Sequence, residues 1–420
     1  MQPRQPLTEG ARSSAGSAVR RTPSTICLRQ IVPLPVNGED LHRVLGTANH
    51  PRVLARFTAD LSALREADRY RQLAPRLGAD FASNDYLGLA AAPELRDALA
   101  EALARGVPVG AAGSRLLRGN HPEHEALEAE AAAFFGSEAA LYFGTGFGAN
   151  MAIVTTLPDR GDLIVWDALS HASTREGLRL SRAETAEARH NDAGHVAALI
   201  AAWRARGGRG TPWIAVESVY SMEGDRAPLA DLAEIARRHD AMLIVDEAHA
   251  TGIYGEGRGL TRGLTAPHIA LHTCGKALGA SGALVTGPRA AIALLINRAR
   301  GFIYATAPSP LMAAAVRASL KLVARPERRD RLATRVAHFA DQLRRIALPA
   351  TGTPIQPIIL GTDRAAIDAA AALQAQGFDV RAIRPPTVPE GTARLRLSLS
   401  LNPSDAEVGA LLDALEPLCA

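Results

Sequence analysis

The sequence predicts an α/β protein with a mostly parallel central sheet and a second, smaller α+β domain. Between Leu141 and Gly287, short apolar runs of strand length alternate with stretches of helical periodicity. Such alternation is typical of a parallel sheet that is covered by helices on both faces. After Gly301 the pattern changes to two long helical stretches that lead into three strands. The 420 residues are enough for roughly two or three structural units at about 100–200 residues each.

Composition narrows the class of protein. Hydrophobic residues make up 47% of the chain and charged residues 21%, as in globular proteins with a large core. The net charge of +4 is diffuse and forms no basic stripe with interleaved aromatic residues, which argues against nucleic-acid binding. Cys27, Cys274 and Cys419 are too far apart to indicate a disulfide framework or a zinc site. No apolar run reaches the about 18 residues of a membrane helix, so we expect a cytoplasmic protein.

The chain is predicted to contain four segments. The first is rich in serine and arginine and poor in acids, so we expect a disordered extension or a start codon placed too early, with a transit peptide as the alternative. The second has apolar residues at helical spacing, with the pattern running from Pro51 to Leu77. The segments are an extension over 1–48, a helical segment over 49–80, a large domain over 81–308, and a small domain over 309–420 whose first helix links the two domains.

Strands and helices are expected in a regular order. The residues from Phe81 to Leu89 read as a short strand and a turn. The large domain is predicted to have strands at Ala140–Phe143, Leu163–Trp166, Trp213–Glu217, Met242–Val245, Ile269–His272 and Ala283–Thr286, with helices at 148–157, 192–205 and 229–239. The small domain is predicted to have helices at 309–325, 327–347, 364–376 and 403–417, with strands at 355–360, 379–384 and 394–400.

An acid and a lysine stand at the ends of two predicted strands. Asp246 follows the strand that ends at Val245, and Lys276 lies between Gly275 and Gly279 after another. Asp246 alone could be a helix N-cap, and Lys276 alone could be a loop lysine. Together they lie at the edge where parallel sheets bind ligands. A desolvated lysine can form a Schiff base and an acid can pair with a pyridinium nitrogen, which favours pyridoxal phosphate.

Three further strand ends carry polar or glycine residues. The run from Gly144 to Gly148 comes between a strand and a helix, where backbone amides can bind a phosphate. This run could also open a dinucleotide site, so a nicotinamide-dependent oxidoreductase is an alternative. His171 and Ser221 follow two other strands and could contact a planar cofactor, or serve only as helix-start and turn residues. Lys276 and Asp246 together favour pyridoxal phosphate.

These motifs resemble those of the α-oxoamine synthases, which are fold-type I pyridoxal-phosphate enzymes. The resemblance runs from Leu61 to Leu418 and rests on Ser83-Asn-Asp-Tyr-Leu-Gly88, Asp246-Glu-Ala-His249 and Thr273-Cys-Gly-Lys276. Members of this family join an amino acid to an acyl thioester, usually with decarboxylation. The resemblance implies a homodimeric acyltransferase with pyridoxal phosphate as its cofactor.

Within the family, the stretches Gly113–His121, His124–Glu128 and Ala382–Arg396 resemble the members that condense L-alanine with a pimeloyl thioester in biotin biosynthesis. The donor could be a CoA or an acyl-carrier-protein thioester. The alternatives are a 2-amino-3-ketobutyrate CoA ligase, a 5-aminolevulinate synthase, a serine palmitoyltransferase, or a non-catalytic pyridoxal-phosphate subunit that regulates or scaffolds a partner.

The resemblance also implies roles for individual residues. Lys276 would anchor the cofactor and move the α-proton, Asp246 would pair with the ring nitrogen, and His171 would stack on the ring. The remaining cofactor contacts would be Gly146, Phe147 and Thr273 at the phosphate, Ser221 and His249 at the phenolic oxygen, and Thr306 at the phosphate of the other subunit. The substrate contacts would be Arg384 first and Arg396 second for a carboxylate, Asn84 and Thr387 in the pocket, and Arg71 at the acyl donor.

Overall fold

The computed structural model describes residues 52–419. The chain divides into two compact units, Met1–Ala63 and Leu64–Ala420. Only residues 52–63 of the first unit are described, and they belong to helix α1. The predicted extension over residues 1–48 lies outside the described residues. None of the helices between residues 52 and 419 combines the length and the hydropathy needed to cross a bilayer.

The helices and strands follow each other along the chain in the order typical of an α/β fold. The helices are α1 Arg52–Glu66, α2 Pro93–Ala104, α3 Pro122–Phe135, α4 Gly146–Thr156, α5 Ala172–Leu180, α6 Ala193–Ala205, α7 Leu229–His239, α8 Arg289–Arg298, α9 Arg300–Ile303, α10 Pro310–Val323, α11 Glu327–Arg345, α12 Asp363–Ala375 and α13 Asp405–Cys419. The strands are β1 Ala79–Asp80, β2 Ala139–Phe143, β3 Leu163–Asp167, β4 Glu184–Ala188, β5 Pro212–Glu217, β6 Met242–Asp246, β7 His268–Thr273, β8 Ala283–Gly287, β9 Ile355–Gly361, β10 Phe378–Asp379, β11 Arg381–Ile383 and β12 Ala393–Ser398.

A seven-stranded sheet forms the centre of the second unit. Its strand order is β2-β8-β7-β6-β5-β3-β4, and β8 pairs antiparallel with both of its neighbours while the remaining pairs are parallel. The strands from β5 to β8 are almost wholly buried, because their side chains pack against helices on both faces. The carboxyl ends of every strand except β8 therefore meet at one edge of the sheet.

A smaller antiparallel sheet, in the order β11-β12-β9, is formed by the C-terminal part of the chain. Its central strand β12 is buried throughout. One hydrophobic core contains Tyr86, Leu278, Val316 and Leu397, so residues on either side of position 308 pack together. The predicted division of this unit into domains over 81–308 and 309–420 stays a prediction.

The predicted fold class is confirmed, and most of the predicted strands are present. The helical pattern from Pro51 to Leu77 was too long, because α1 ends at Glu66 and the residues from Asp68 onward form turns and irregular backbone. The strand predicted after Phe81 is also wrong. Only Ala79 and Asp80 form a strand there, and they pair in parallel with β10.

Candidate active site

The edge of the large sheet brings an amine and two carboxyl groups together. Glu217 ends β5 and Asp246 ends β6, and the two residues are paired in the parallel register. Lys276 follows the end of β7, which is the next strand in the sheet. Glu217 and Asp246 are buried, with 3% and 7% exposure, so this edge contains ionisable groups with little access to water.

His249 connects Lys276 to the SNDYLG motif. Its Nε2 lies 2.8 Å from Lys276 Nζ and its Nδ1 lies 2.6 Å from Tyr86 Oη. Tyr86 donates a hydrogen bond to Asn84 Oδ1 at 3.1 Å, so Tyr86 Oη accepts from His249 Nδ1–H. This pattern assigns the ring proton to Nδ1 and leaves Nε2 as the acceptor for the lysine amine.

The electrostatics of this cluster favour a lysine that can lose its proton. Burial lowers the pKa of Lys276 to about 8, because a buried ammonium loses its hydration, and Arg396 acts in the same direction. The carboxylate of Asp246 opposes this effect. Burial and the nearby positive charge of Lys276 hold the pKa of His249 well below its usual value. Near neutral pH, His249 is therefore an uncharged acceptor.

A second set of hydrogen bonds orients Asp246 and His171. Asn150 Nδ2 donates to Asp246 Oδ2 at 2.7 Å and to Ser173 Oγ at 3.0 Å. Ser173 Oγ lies 2.7 Å from His171 Nδ1. Desolvation and Lys276 lower the pKa of His171, while Asp246 opposes them. His171 remains exposed, so its ring is accessible at the rim of the cluster.

The predicted phosphate site lies at the start of α4. Thr145 caps this helix by accepting from the Gly148 amide at 3.0 Å, and the amides of Gly146 and Phe147 come first in the helix, where intrahelical partners are lacking. A Cβ placed on Gly146 would lie 3.5 Å from Thr273 Oγ1, so these two predicted phosphate contacts are neighbours. Thr306 is exposed, and its predicted contact with a second subunit stays a prediction.

The two candidate carboxylate ligands occupy different places. Arg396 is buried, with 6% exposure, and donates through Nε to Ser221 O at 2.6 Å, with Nη2 3.5 Å from Tyr86 Oη. Arg384 is half-buried and donates to the carbonyl oxygen of Asp68. For a carboxylate near Lys276, the geometry therefore favours Arg396, which reverses the order that the sequence predicted.

The other predicted substrate residues lie around these arginines. Arg71 is exposed and donates a long hydrogen bond to Pro385 O at 3.5 Å. Burial lowers the pKa of the neighbouring Arg384, and the positive charge of Arg71 lowers it further. Thr387 is exposed in the turn that follows Arg384. Asn84 accepts a hydrogen bond from Tyr86, which in turn contacts His249, so among the described residues it is the only one of these three that hydrogen bonds connect to the lysine cluster.

Three residues in the cluster had no predicted role. Tyr86 and Asn150 are buried polar residues in otherwise apolar surroundings, and Glu217 ends a buried strand. A buried polar side chain next to a strand end or at the start of a helix was the signal that could have identified them.

These side chains fit pyridoxal phosphate. Lys276 supplies an amine with a lowered pKa for a Schiff base. Asp246, held by Asn150, supplies a carboxylate for the pyridinium nitrogen. The amide groups at the start of α4 suit a phosphate.

Comparison with known proteins gives the family. Residues 78–415 match the model of the family described as aminotransferase class I and II. The chain belongs to this family.

Among related sequences, the chain is similar to the 8-amino-7-oxononanoate synthase of Chromobacterium violaceum, with 46% identity over 338 residues that cover 79% of this chain and 87% of the relative. It is also similar to the 8-amino-7-oxononanoate synthase of Methylobacterium nodulans, with 43% identity that covers 88% of this chain and 98% of the relative. Both relatives carry the name of one enzyme.

Solved structures give the same fold. Serine palmitoyltransferase from S. paucimobilis, solved with bound PLP, aligns with a TM-score of 0.78 and 26% identity over 87% of this chain and 97% of its own. The 8-amino-7-oxononanoate synthase of Francisella tularensis aligns with a TM-score of 0.68 and 29% identity over 81% of this chain and 97% of its own. These relationships confirm the predicted fold-type I class, the predicted cofactor pyridoxal phosphate, and a PLP-dependent acyltransferase.

Proposed function

We propose that the chain catalyses the decarboxylative condensation of L-alanine with a pimeloyl thioester, which yields 8-amino-7-oxononanoate. The names of the relatives, at 42–46% identity, support this choice within the family. The observation that carries it is the cluster in which His249 and Tyr86 connect Lys276, with its lowered pKa, to the buried Arg396. Among residues 52–419, no carboxylate forms an ion pair with Arg396, so a substrate carboxylate can be its partner.

Each residue has a role that follows from its contacts. Arg396 binds the carboxylate of alanine, because a guanidinium reads a carboxylate through two hydrogen bonds. Asp246 keeps the ring nitrogen of the cofactor protonated. When it is bound, pyridoxal phosphate supplies an electron sink for the negative charge that develops at the alanine α-carbon. Lys276 holds the cofactor and then removes the α-proton, while neutral His249 accepts a hydrogen bond from its amine.

The condensation needs no reactant besides alanine and the thioester, because every bond that breaks is matched by a leaving group or a returned proton. The α-carbon of alanine forms a bond with the thioester carbonyl carbon, and the thiol leaves. The alanine carboxylate leaves as carbon dioxide, and a proton replaces it at the α-carbon. Lys276 and His249 are the nearest groups in the cluster that can carry that proton.

The chain offers a simple test, because it contains two lysines, Lys276 and Lys321. Borohydride reduction of the holoenzyme followed by peptide mapping should place the cofactor on Lys276 alone. Lys276→Ala should lose the cofactor absorbance and thiol release, since no other amine lies in the cluster. Lys321 is exposed on α10, so Lys321→Ala is the matched control and should retain both signals.

The substrate is tested with the same enzyme. Thiol release should be fastest with L-alanine and a pimeloyl thioester in a panel of alanine, glycine and serine against pimeloyl, acetyl, succinyl and palmitoyl donors. Offering the pimeloyl group on CoA and on acyl-carrier protein separates the two donors. A preference for glycine or serine would refute the proposed substrate and indicate another member of the same family.

A further inference from the structure

The turn that follows β5 connects the lysine cluster to the buried arginine. Glu217 Oε2 accepts a hydrogen bond from the Ser221 amide at 3.0 Å. The carbonyl oxygen of Ser221 accepts from Arg396 Nε at 2.6 Å. One residue of this turn, Ser221, is thus held through its amide by Glu217 and in turn holds Nε of Arg396, whose Nη1 donates to Ser398 Oγ at 2.7 Å.

The far side of the same turn is held by the small sheet. Arg394 Nη1 donates to Met222 O at 3.1 Å and to Glu223 Oε1 at 3.0 Å. Thr353 Oγ1 donates to Gly224 O at 2.7 Å. Gly224 has a φ of +73°, and a Cβ there would lie 2.2 Å from the carbonyl oxygen of Ile355, so only glycine fits this close approach. The outer half of the turn is therefore fixed, and at its inner half Glu217 holds the Ser221 amide beside the backbone hydrogen bonds of Ser218 and Tyr220.

Glu217 has the surroundings of a neutral carboxylic acid. Burial raises its pKa well above the usual value, and the neighbouring charge of Asp246 raises it further. Lys276 opposes this shift, as does the Ser221 amide, while Glu223 adds to it. Glu217 Oε1 is buried and has no hydrogen-bond partner among the described residues, which suits a protonated oxygen better than a carboxylate.

We propose that Glu217 is a positioning residue for the condensation, because its side chain fixes the Ser221 turn and through it the guanidinium that binds the amino-acid carboxylate. The proposal rests on the proposed function, in which Arg396 binds that carboxylate. Glu217 itself contacts no reacting atom in this role. Loss of the Glu217 contact with the Ser221 amide should therefore weaken amino-acid binding more than it weakens cofactor binding.

The experiment measures amino-acid affinity from the absorbance change of the holoenzyme, without any acyl donor. Glu217→Met keeps the volume and removes the acceptor, and its dissociation constant for alanine should rise by roughly tenfold to a hundredfold, the range that a misplacement of about 1 Å can cause. Glu217→Gln keeps an oxygen for the Ser221 amide and should restore near-normal affinity. If Glu217→Met yields no soluble protein, Glu217→Asp, which is too short to reach that amide, is measured with the same expectation.

The matched control is Glu247→Gln. Glu247 is also fully buried at this edge, but its carboxylate accepts from Ser218 Oγ at 2.6 Å and from the Thr261 amide at 2.5 Å rather than from the Ser221 amide. Its replacement should leave alanine affinity unchanged. A loss in Glu247→Gln as large as in Glu217→Met would overturn the positioning role, and so would a Glu217→Met enzyme with normal affinity.

A second measurement tests whether Glu217 is protonated. Titration of the cofactor absorbance against pH should give the same midpoint in wild type and Glu217→Gln, because one neutral group replaces another. A lower midpoint in the variant would contradict the proposal, since it would mean that an ionised carboxylate had been removed.

Affinities are compared with whichever of alanine, glycine and serine the wild type binds most tightly. A wrong proposed substrate therefore leaves the comparison of the Glu217 variants valid.

Discussion

At the scale of single residues, the chemistry of Lys276 is set by what surrounds its amine. Burial lowers the pKa of the lysine to about 8, and the carboxylate of Asp246 limits that effect. The lone pair of His249 Nε2 faces the amine, because the proton of the ring is on Nδ1, which donates a hydrogen bond to Tyr86 Oη. The result is an amine that is enclosed but can still exchange its proton near neutral pH.

The pH dependence of cofactor loading follows from this pKa. Only the neutral amine attacks the aldehyde of pyridoxal phosphate, so loading of the apoenzyme should accelerate as pH rises and level off above about 8. At pH 7 roughly one tenth of Lys276 is neutral, against roughly one part in three thousand for an ordinary lysine. Stopped-flow absorbance between pH 6 and 10 measures the midpoint.

Asp246→Asn is the diagnostic variant for that profile. It removes a negative charge that raises the pKa of Lys276, so the midpoint should move to lower pH even if cofactor affinity also falls. A wild-type midpoint near the usual lysine value, or a variant midpoint above that of the wild type, would contradict the assignment.

The sequence was informative about residues whose function required a strand end. The position of Lys276 and Asp246 at one edge of the sheet could be predicted, because Asp246 ends and Lys276 follows a buried apolar strand of a parallel sheet. The order of Arg384 and Arg396 could not be predicted, because it depends on how the small sheet packs on the turn after β5. The role of Asn150 could not be predicted, because its contact with Asp246 joins positions 96 residues apart in the chain.

At the scale of elements, the loops after β3, β4 and β5 are joined by one histidine. His190 Nδ1 lies 2.9 Å from Asp167 Oδ1 and its Nε2 lies 2.8 Å from Asp225 Oδ2. Burial alone would lower the pKa of His190, but these two carboxylates raise it to about 10. Tyr220 packs edge-on against the ring at a centroid distance of 4.4 Å. The loop that carries His171 and the turn that carries Ser221 are therefore held by a charged imidazolium.

The ion pairs of His190 with Asp167 and Asp225 should make the stability of the fold decrease as pH rises. The pKa of His190 is about 10 in the folded chain and about 6.5 when unfolded, so its stabilisation is complete below pH 6.5 and is lost as pH rises toward 10. His190→Gln should therefore lower the melting temperature most at pH 6 and least near pH 10. Calorimetry across that range measures the difference from the wild type.

His338 provides the control for this series, since it is an exposed histidine on α11. His338→Gln should change the melting temperature little at any pH in the range. A destabilisation by His190→Gln that grows with pH would show that the imidazole is neutral in the folded chain, and it would refute the ion pairs with Asp167 and Asp225.

Element prediction succeeded where burial dictated the pattern and failed where it did not. Strands β5, β6 and β7 are buried on both faces and read as continuous apolar runs. Strand β4, with the sequence Glu-Thr-Ala-Glu-Ala, is an edge strand with exposed residues, so it lacks an apolar signal and was missed. The segment after Phe81 packs its apolar residues into the core as turns, which periodicity cannot distinguish from a strand.

At the scale of the whole second unit, the two sheets meet at the turn after β5. Arg394 and Arg396 are separated by one residue on β12, so both side chains lie on the same face of the small sheet. Both donate to the turn that follows a strand of the large sheet. The guanidinium proposed to bind the substrate carboxylate is thus placed by the same strand that attaches the small sheet to the large one.

Removing one partner of the Arg394 and Glu223 pair should therefore destabilise the fold strongly. The two groups are 3.0 Å apart, with side-chain exposures of 4% and 18%. Burial raises the pKa of Glu223 and Arg394 opposes that shift, so the carboxylate depends on its partner. Arg394→Met leaves a buried acid without its cation and should cost about 3–5 kcal/mol in the free energy of unfolding.

A double-mutant cycle with Glu223→Gln isolates this interaction from the other contacts of Arg394. The double variant should be more stable than the sum of the two single losses predicts, because the second change removes the acid that the first left unpaired. Arg344→Met is the reference, since Arg344 pairs with Asp341 at 2.6 Å while both side chains are more than 60% exposed, and its loss should cost about 0–1 kcal/mol. Strictly additive losses at Arg394 and Glu223 in urea unfolding would mean that the ion pair adds nothing beyond the separate contacts of the two residues. Coupled losses, together with weaker alanine binding in Arg394→Met, would mean that one buried ion pair both joins the sheets and holds the substrate arginine in place.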